Sequence, residues 1–352
     1  MAEATFSWPE LLSSLIAGHD LSGEQSGWAM REILAGAATP AQIAGFAVAL
    51  RAKGETVDEV EGLVATMYEF ATPLAFEGRA VDIVGTGGDR SHTVNISTMA
   101  ALVTAGAGIP VVKHGNRAAS SSCGSADVLE GLGIPLDLPA QRVGEIAREV
   151  GLTFCFAPVF HSALRHSAVP RRELGVATTF NFLGPLANPS RPQAQAVGVA
   201  DARLAGIVAS VLAKRGVEGF VFRGNDGLDE ITTTTTSQIW SIVGGATSEH
   251  ELDPADLGLG YAQPDDLRGG DVTFNADAVH RLLDGAPGAV RDAVLLNAAA
   301  GIAAYDVSDA PLVERLSAGL DRAAAAVDSG AAKAKLVAWL AAANAPFPSP
   351  SR

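Results

Sequence analysis

The sequence predicts an α/β fold in two parts: a small all-helical domain and a larger domain with a mainly parallel central sheet flanked by helices. Three observations predict it. Residues 22–70 carry three successive helix-start signatures and no strand pattern. From residue 80 onward, short apolar runs ending in glycine alternate with helical runs, the order that gives right-handed crossovers and parallel pairing. The chain has 352 residues and is 48% hydrophobic, enough for about two domains. The helical domain is expected over 1–77, joined by 160–190, which lacks strand character; the α/β domain is expected over 78–159 and 191–352.

Along the chain, Ser22 with Gln25, Thr39 with Gln42 and Thr56 with Glu59 have capping-box spacing, and Pro40 suits a first helical position. Ile43, Phe46, Ala47 and Leu50 recur at helical spacing, as do Val57, Val60, Val64 and Met67. "AVDIVGTGGD" then gives a buried strand through Val81, Ile83 and Val84 that runs into a glycine loop. The next helix begins near Asn95 or Ser97. "IPVVKHG" is a second strand and loop, and a helix over 140–150 followed by "TFCFA" (153–157) repeats the alternation. "AVGVA" (196–200), a helix over 201–215 and "GFVFRG" (219–224) continue it, and "TTTTT" (232–236) is a β-prone run.

Composition narrows the function. The formal net charge is −14, a field that repels nucleic acid and anionic membrane. An anionic substrate would need local devices: backbone N–H groups, a few placed cations or metal ions. Two cysteines, Cys123 and Cys155, are too few for a disulfide framework. The N-terminal residues lack a basic, apolar leader pattern and no run reads as a spanning helix, so a cytoplasmic location is expected.

In a sheet of this kind a ligand sits beyond the carboxyl ends of the strands, and three polar loops fall there. In "GTGGDRSHTVNIST", Gly85, Gly87 and Gly88 remove side chains where backbone approaches closely or takes positive φ, and a helix start follows. A tight strand–helix turn would use the same glycines. Thr93, Asn95, Ser97 and Thr98, however, supply more hydroxyl and amide groups than a cap requires. "KHGNRAASSSCGSADVLE" (113–130) offers Lys113 as a point charge for phosphate and Asn116 as a reader of a polar substrate. Ser121, Ser122 and Ser125 stand before another helix N-terminus. A capped helix explains one serine, not several. Cys123 reads as a small buried thiol rather than a nucleophile. In "GNDGLDE", Asp226, Asp229 and Glu230 repel one another unless a cation such as Mg²⁺ joins them; an acidic turn is the alternative.

Taken together, "GTGGD" (85–89), "TVNIST" (93–98), "KHGNRAASS" (113–121), "GSADVLE" (124–130), "TTFNFLGPLANP" (178–189) and "DGLDEIT" (226–232) make the chain resemble the anthranilate phosphoribosyltransferase family over nearly its whole length. The resemblance implies transfer of the phosphoribosyl group of phosphoribosyl pyrophosphate to the amine of anthranilate, in tryptophan biosynthesis. It implies two Mg²⁺ ions and a homodimer formed through the helical domain. It places phosphoribosyl pyrophosphate on Gly85, Gly88, Asp89, Thr93, Asn95, Ser97, Thr98, Lys113, Ser121 and Ser125. It places anthranilate on Gly85, Asn116 and Arg171, and Mg²⁺ on Ser97, Asp229 and Glu230. Lys113 and His114 are the candidate catalytic side chains; His114 could equally be a hydrogen-bonded structural histidine.

The chain departs from the family pattern at three places: Pro170 where valine is usual, Arg90 where glycine commonly follows GTGGD, and Ala177 where arginine is frequent. Pro170 is expected to start a helix and leave Arg171 in register. Two other readings compete. A pyrimidine-nucleoside phosphorylase-like enzyme would place arginine, leucine and a Thr-Gly-Gly-Thr run where this chain has "SSSCGSADVLE". A non-catalytic nucleic-acid-binding relative would need a basic stripe, against a net charge of −14.

Overall fold

The helical N-terminus forms because its caps are built as the sequence predicts. A computed structural model describes residues 6–118 and 122–347. Helices α1 (Trp8–Ile16), α2 (Gly23–Leu34), α3 (Pro40–Lys53) and α4 (Val57–Phe70) come first. In α2, α3 and α4 the Ser22, Thr39 and Thr56 hydroxyls each accept the N3 backbone N–H, while Gln25, Gln42 and Glu59 reach back to the cap. Each such cap is worth about 1 kcal/mol. Ile43, Phe46, Ala47 and Leu50 of α3 are buried, as are Val60, Val64 and Met67 of α4; Val57 is only partly covered.

The chain then alternates: β1 (Val81–Gly85), α5 (Ile96–Gly106), β2 (Val111–Gly115), α6 (Ser125–Gly131), α7 (Ala140–Val150) and β3 (Leu152–Phe156). The short α8 (Ala157–Phe160) and α9 (Arg165–Leu174) lead back to β4 (Ala194–Gly198), α10 (Ala202–Lys214) and β5 (Glu218–Gly224). A hairpin of β6 (Ser237–Val243) and β7 (Ala246–Leu252) closes the sheet. Among the described residues four helices come last: α11 (Val272–Leu283), α12 (Ala289–Tyr305), α13 (Leu312–Asp328) and α14 (Ala331–Ala343). The strand order is β3-β2-β1-β4-β5-β6-β7, the first five parallel and the last two antiparallel.

Two details differ from expectation. The threonine run is not a strand; pairing begins at Ser237. The Thr232 and Thr234 hydroxyls instead donate to the Asp226 carboxylate, and such local side-chain bonds compete with a ladder. Pro170 does not start a helix either. It lies inside α9, where its missing N–H leaves the His166 carbonyl without its usual partner.

Alternation along the strands sets the two larger of three apolar clusters on opposite faces, the third gathering Val112, Cys155 and Phe160. Val81 and Ile83 of β1, Ala194 and Ala196 of β4, and Phe220 and Phe222 of β5 pack with α5, α6 and the C-terminal helices. Val84, Val197 and Val221 face the other way, into one cluster with α10 and with Trp8, Phe46 and Leu63 of the N-terminal helices. Phe180, Phe182, Leu183 and Leu186 join that second cluster.

Candidate active site

The order of strands reverses at β1, which pairs with β2 on one side and β4 on the other, so the crevice for a ligand opens where β1 and β4 end. Gly85 and Gly198 are register partners there. Both must be glycine because the 229–230 segment crosses them. A Cβ on Gly85 would stand 2.1 Å from Asp229 Oδ2, and one on Gly198 would stand 1.6 Å from the Asp229 carbonyl oxygen. Asp229 Oδ2 accepts the Gly87 N–H at 2.6 Å. The carboxylate pair is thereby folded onto the glycine loop.

The loop itself is a run of left-handed residues: Gly87 at φ +68°, Gly88 at +88°, Arg90 at +61° and His92 at +53°. Space stays open beside Gly87 and Gly88. Arg90 therefore holds a conformation that glycine would adopt without strain. Asp89 Oδ1 accepts the Ser91 N–H.

Asp229 and Glu230 are both buried. Burial, then the neighbouring Asp89 carboxylate, pushes Asp229 up to about 7. Burial, then Asp229, holds Glu230 well above the ordinary carboxyl range. Glu230 accepts the Ser97 backbone N–H, yet its Oε2 is buried with no partner. Carboxylates that repel one another, with one orphaned oxygen, fit a divalent cation. Among the described residues no three His, Cys, Asp or Glu form a closed cage. That suits Mg²⁺, which takes one or two carboxylates and fills its remaining positions with water and phosphate. Asp226 does not join the pair: its carboxylate takes the Leu228 N–H and the two threonine hydroxyls, so it is a turn residue.

Lys113 comes from β2 beneath this cluster. It is 2% exposed and donates to the Ile83 carbonyl and, at 3.2 Å, to Ser97 Oγ. Burial lowers its pKa, opposed by Asp82, Glu230 and Asp229. Its ammonium thus balances the acidic cluster from below rather than standing in solvent. Asp82 escaped sequence reasoning, although a lone carboxyl inside "AVDIV" is a signal. It is fully buried, pushed up to about 6 by burial, and accepts the His114 N–H and the Asn188 amide. His114 points to the opposite face of the sheet. Its Nδ1 meets the Gly184 carbonyl at 3.0 Å, its ring lies 5.2 Å from His161, and its Nε2 is buried without a partner. Burial drives it down to about 3, so it stays neutral and accepts a proton poorly.

The serine-rich stretch divides its labour. Asp127 Oδ2 accepts both the Gly124 and Ala118 N–H groups, so α6 is capped by its own carboxylate rather than left open for an anion. Arg117 pairs with Asp127 and Glu130. Ser125 Oγ donates to the Asn116 carbonyl, and the Asn116 side chain is exposed. Ser121 lies outside the described residues. Cys123 is buried, its thiol pushed up to about 11 by burial, far from a nucleophilic thiolate. Thr93 pairs with Arg268, and Thr98 Oγ1 is buried without a partner.

Arg171 sits near the end of α9, its guanidinium 5.5 Å from the centre of the Phe180 ring. Burial lowers its pKa, and among the described residues no carboxylate pairs with it. Arg172, beside it, is exposed. A half-buried, unpaired fork of this kind is ready for a carboxylate.

Two family descriptions match the chain. Residues 77–333 match "Glycosyl transferase family, a/b domain" and residues 9–71 match "Glycosyl transferase family, helical bundle domain", so the chain belongs to this glycosyl transferase family. It is 63% identical over 335 residues to the anthranilate phosphoribosyltransferase of a Nocardioides species, covering 95% of this chain and 98% of that one. The enzyme of the same name from Thermus thermophilus superposes with a TM-score of 0.89 at 40% identity, over 95% of this chain and 99% of that one. The Saccharomyces cerevisiae enzyme, in complex with PRPP and Mg, shares the fold at a TM-score of 0.87 and 24% identity, over 96% and 97% of the two chains. Within the glycosyl transferases, the chain belongs to the anthranilate phosphoribosyltransferase family.

Proposed function

We propose that the chain transfers the phosphoribosyl group of phosphoribosyl pyrophosphate to the anthranilate amine, releasing pyrophosphate, as a step of tryptophan biosynthesis. The observation that carries this reading is the Asp229–Glu230 pair folded across the switch point onto the glycine loop. Gly85, Gly88, Asp89, Thr93, Asn95, Ser97, Thr98, Lys113, Ser121 and Ser125 hold phosphoribosyl pyrophosphate. Asp229, Glu230 and Ser97 hold Mg²⁺, as two ions. When bound, Mg²⁺ supplies charge neutralisation for the departing pyrophosphate. The N–H groups of the left-handed loop orient the phosphates, and Lys113 balances the acidic cluster so that it can ionise. Arg171 pairs with the anthranilate carboxylate and, with Asn116 and the backbone at Gly85, directs the amine toward the reacting carbon. There the C–O bond to pyrophosphate breaks and the C–N bond forms. The arylammonium so produced is a strong acid and passes its proton to water, which fits the absence of a basic side chain in His114.

Three further points belong to this proposal. Residues 160–190 group with the helices of 1–77, supported by the cluster that Phe180 and Leu186 share with Phe46. A homodimer forms through that helical part, where Ile16, Val48, Val169 and Val176 are exposed. A cytoplasmic setting is supported by the low cysteine count; no helix is long and apolar enough to cross a membrane among the described residues. The test is loss of anthranilate fluorescence with phosphoribosyl pyrophosphate and Mg²⁺, run beside thymidine with phosphate. Turnover in the first arm supports the reading. Turnover only in the second would replace it with nucleoside phosphorolysis.

A further inference from the structure

Asn275 lies in the first turn of α11, outside the three polar loops. It is 2% exposed. Its Oδ1 accepts the Gly270 N–H at 2.9 Å, and its Nδ2 donates to Asn95 Oδ1 at 2.8 Å. Asn95 Nδ2 in turn donates to the Cys123 carbonyl at 3.0 Å. The chain of bonds has only one direction. A backbone N–H, which can only donate, begins it, and a backbone carbonyl, which can only accept, ends it, so neither carboxamide can turn over without breaking two bonds.

The same segment grips the glycine loop further on. Gly269 donates to the His92 carbonyl at 2.8 Å and Val94 donates to the Leu267 carbonyl at 2.9 Å. Three stretches are thereby joined: residues 267–275, the start of α5, and the serine loop at Cys123. Among the described residues Asn95 Nδ2 makes no second hydrogen bond, which leaves its other hydrogen for a ligand.

We propose that Asn275 is a positioning residue for phosphoribosyl pyrophosphate, fixing which way the Asn95 carboxamide faces and holding the glycine and serine loops at one spacing. This rests on the assignment of Asn95 to the substrate cradle. Asn275→Asp preserves shape and can still accept from Gly270, but it cannot donate to Asn95 Oδ1. Asn95 must then turn over or lose its partner.

The experiment measures both Michaelis constants for Asn275→Asp, Asn95→Ala and the double variant, with melting temperatures alongside. Asn275→Ala is carried in parallel in case the buried carboxylate prevents folding. The expected result is a rise of roughly five- to thirtyfold in KM for phosphoribosyl pyrophosphate, with KM for anthranilate within about twofold. In the Asn95→Ala background, changing Asn275 should add nothing further. Equal rises in both constants, a lower melting temperature alone, or full additivity in the double variant would overturn the inference. An Asn95→Ala enzyme with parental KM for phosphoribosyl pyrophosphate would instead overturn the cradle assignment, and the inference with it.

Discussion

Asp229 and Gly85 share one small space: a side chain on Gly85 would stand 2.1 Å from the Asp229 carboxylate that holds the glycine loop through Gly87. Gly85→Ala should therefore push the carboxylate off the loop. The expected outcome is an increase of about tenfold or more in the Mg²⁺ concentration giving half-maximal turnover, read from a Mg²⁺ titration at saturating substrates. An unchanged titration would mean that Asp229 relaxes without cost.

The acidic pair makes stability depend on pH. Folding raises the Asp229 pKa from its ordinary 3.8 to about 7. The folded chain therefore binds this proton more tightly than the unfolded chain, and the contribution is complete at low pH and lost as pH rises through that window. Without ligands, the protein should be less stable at pH 8 than at pH 5. Asn at position 229 does not ionise and can still accept from Gly87. Asp229→Asn should raise the melting temperature at pH 8 by roughly 2–5 °C, with the gap narrowing toward pH 4, while Mg²⁺-dependent turnover is lost. A variant that melts below the parent at pH 8 would contradict this.

For Arg171, substitution by Ala should raise KM for anthranilate by roughly tenfold to a hundredfold, the worth of one hydrogen-bonded charge pair, and leave KM for phosphoribosyl pyrophosphate nearly unchanged. Lys should recover only part, because an ammonium lacks the planar fork. Since Pro170 lies inside α9, Pro170→Ala restores a donor to the His166 carbonyl and should straighten the turn that carries Arg171. Steady-state kinetics would show this as a change in KM for anthranilate alone.

Arg90 gives a prediction of opposite sign. A non-glycine residue in the left-handed region costs on the order of 1 kcal/mol, so Arg90→Gly should hold or raise the melting temperature by roughly 1–3 °C. A fall of several degrees would show that the Arg90 side chain stabilises the loop.

Features written within a few residues were legible. The three capping boxes, the glycine turn after β1 and the tandem Asp229–Glu230 all follow from local chemistry, and each stands where its spacing places it. Contacts between distant segments were not legible. Gly87 and Asp229 are 142 positions apart, and Asn95 and Asn275 are 180 apart. Nothing in either local pattern announces its partner. Asp226, open between turn and metal in the sequence, and Pro170, expected at a helix start, depend on the fold for a related reason. A turn carboxylate and a metal-binding one look alike until the Thr232 and Thr234 hydroxyls are seen around it, and a proline at a helix start looks like one inside until the helix is found to begin at Arg165.

The second apolar cluster, in which α10 joins Val84, Val197 and Val221 of the sheet to Trp8, Phe46 and Leu63 of the N-terminal helices, bears on how the molecule comes apart. The helices cannot melt away without laying bare α10, the helix that covers the strands carrying the catalytic loops. Amide protons in α2 to α4 and in β1 should then exchange with the same opening free energy, and heating should give one calorimetric peak rather than two. A chain cut after residue 77 would expose the face of α10 that packs on α4 and should aggregate rather than fold as a working half.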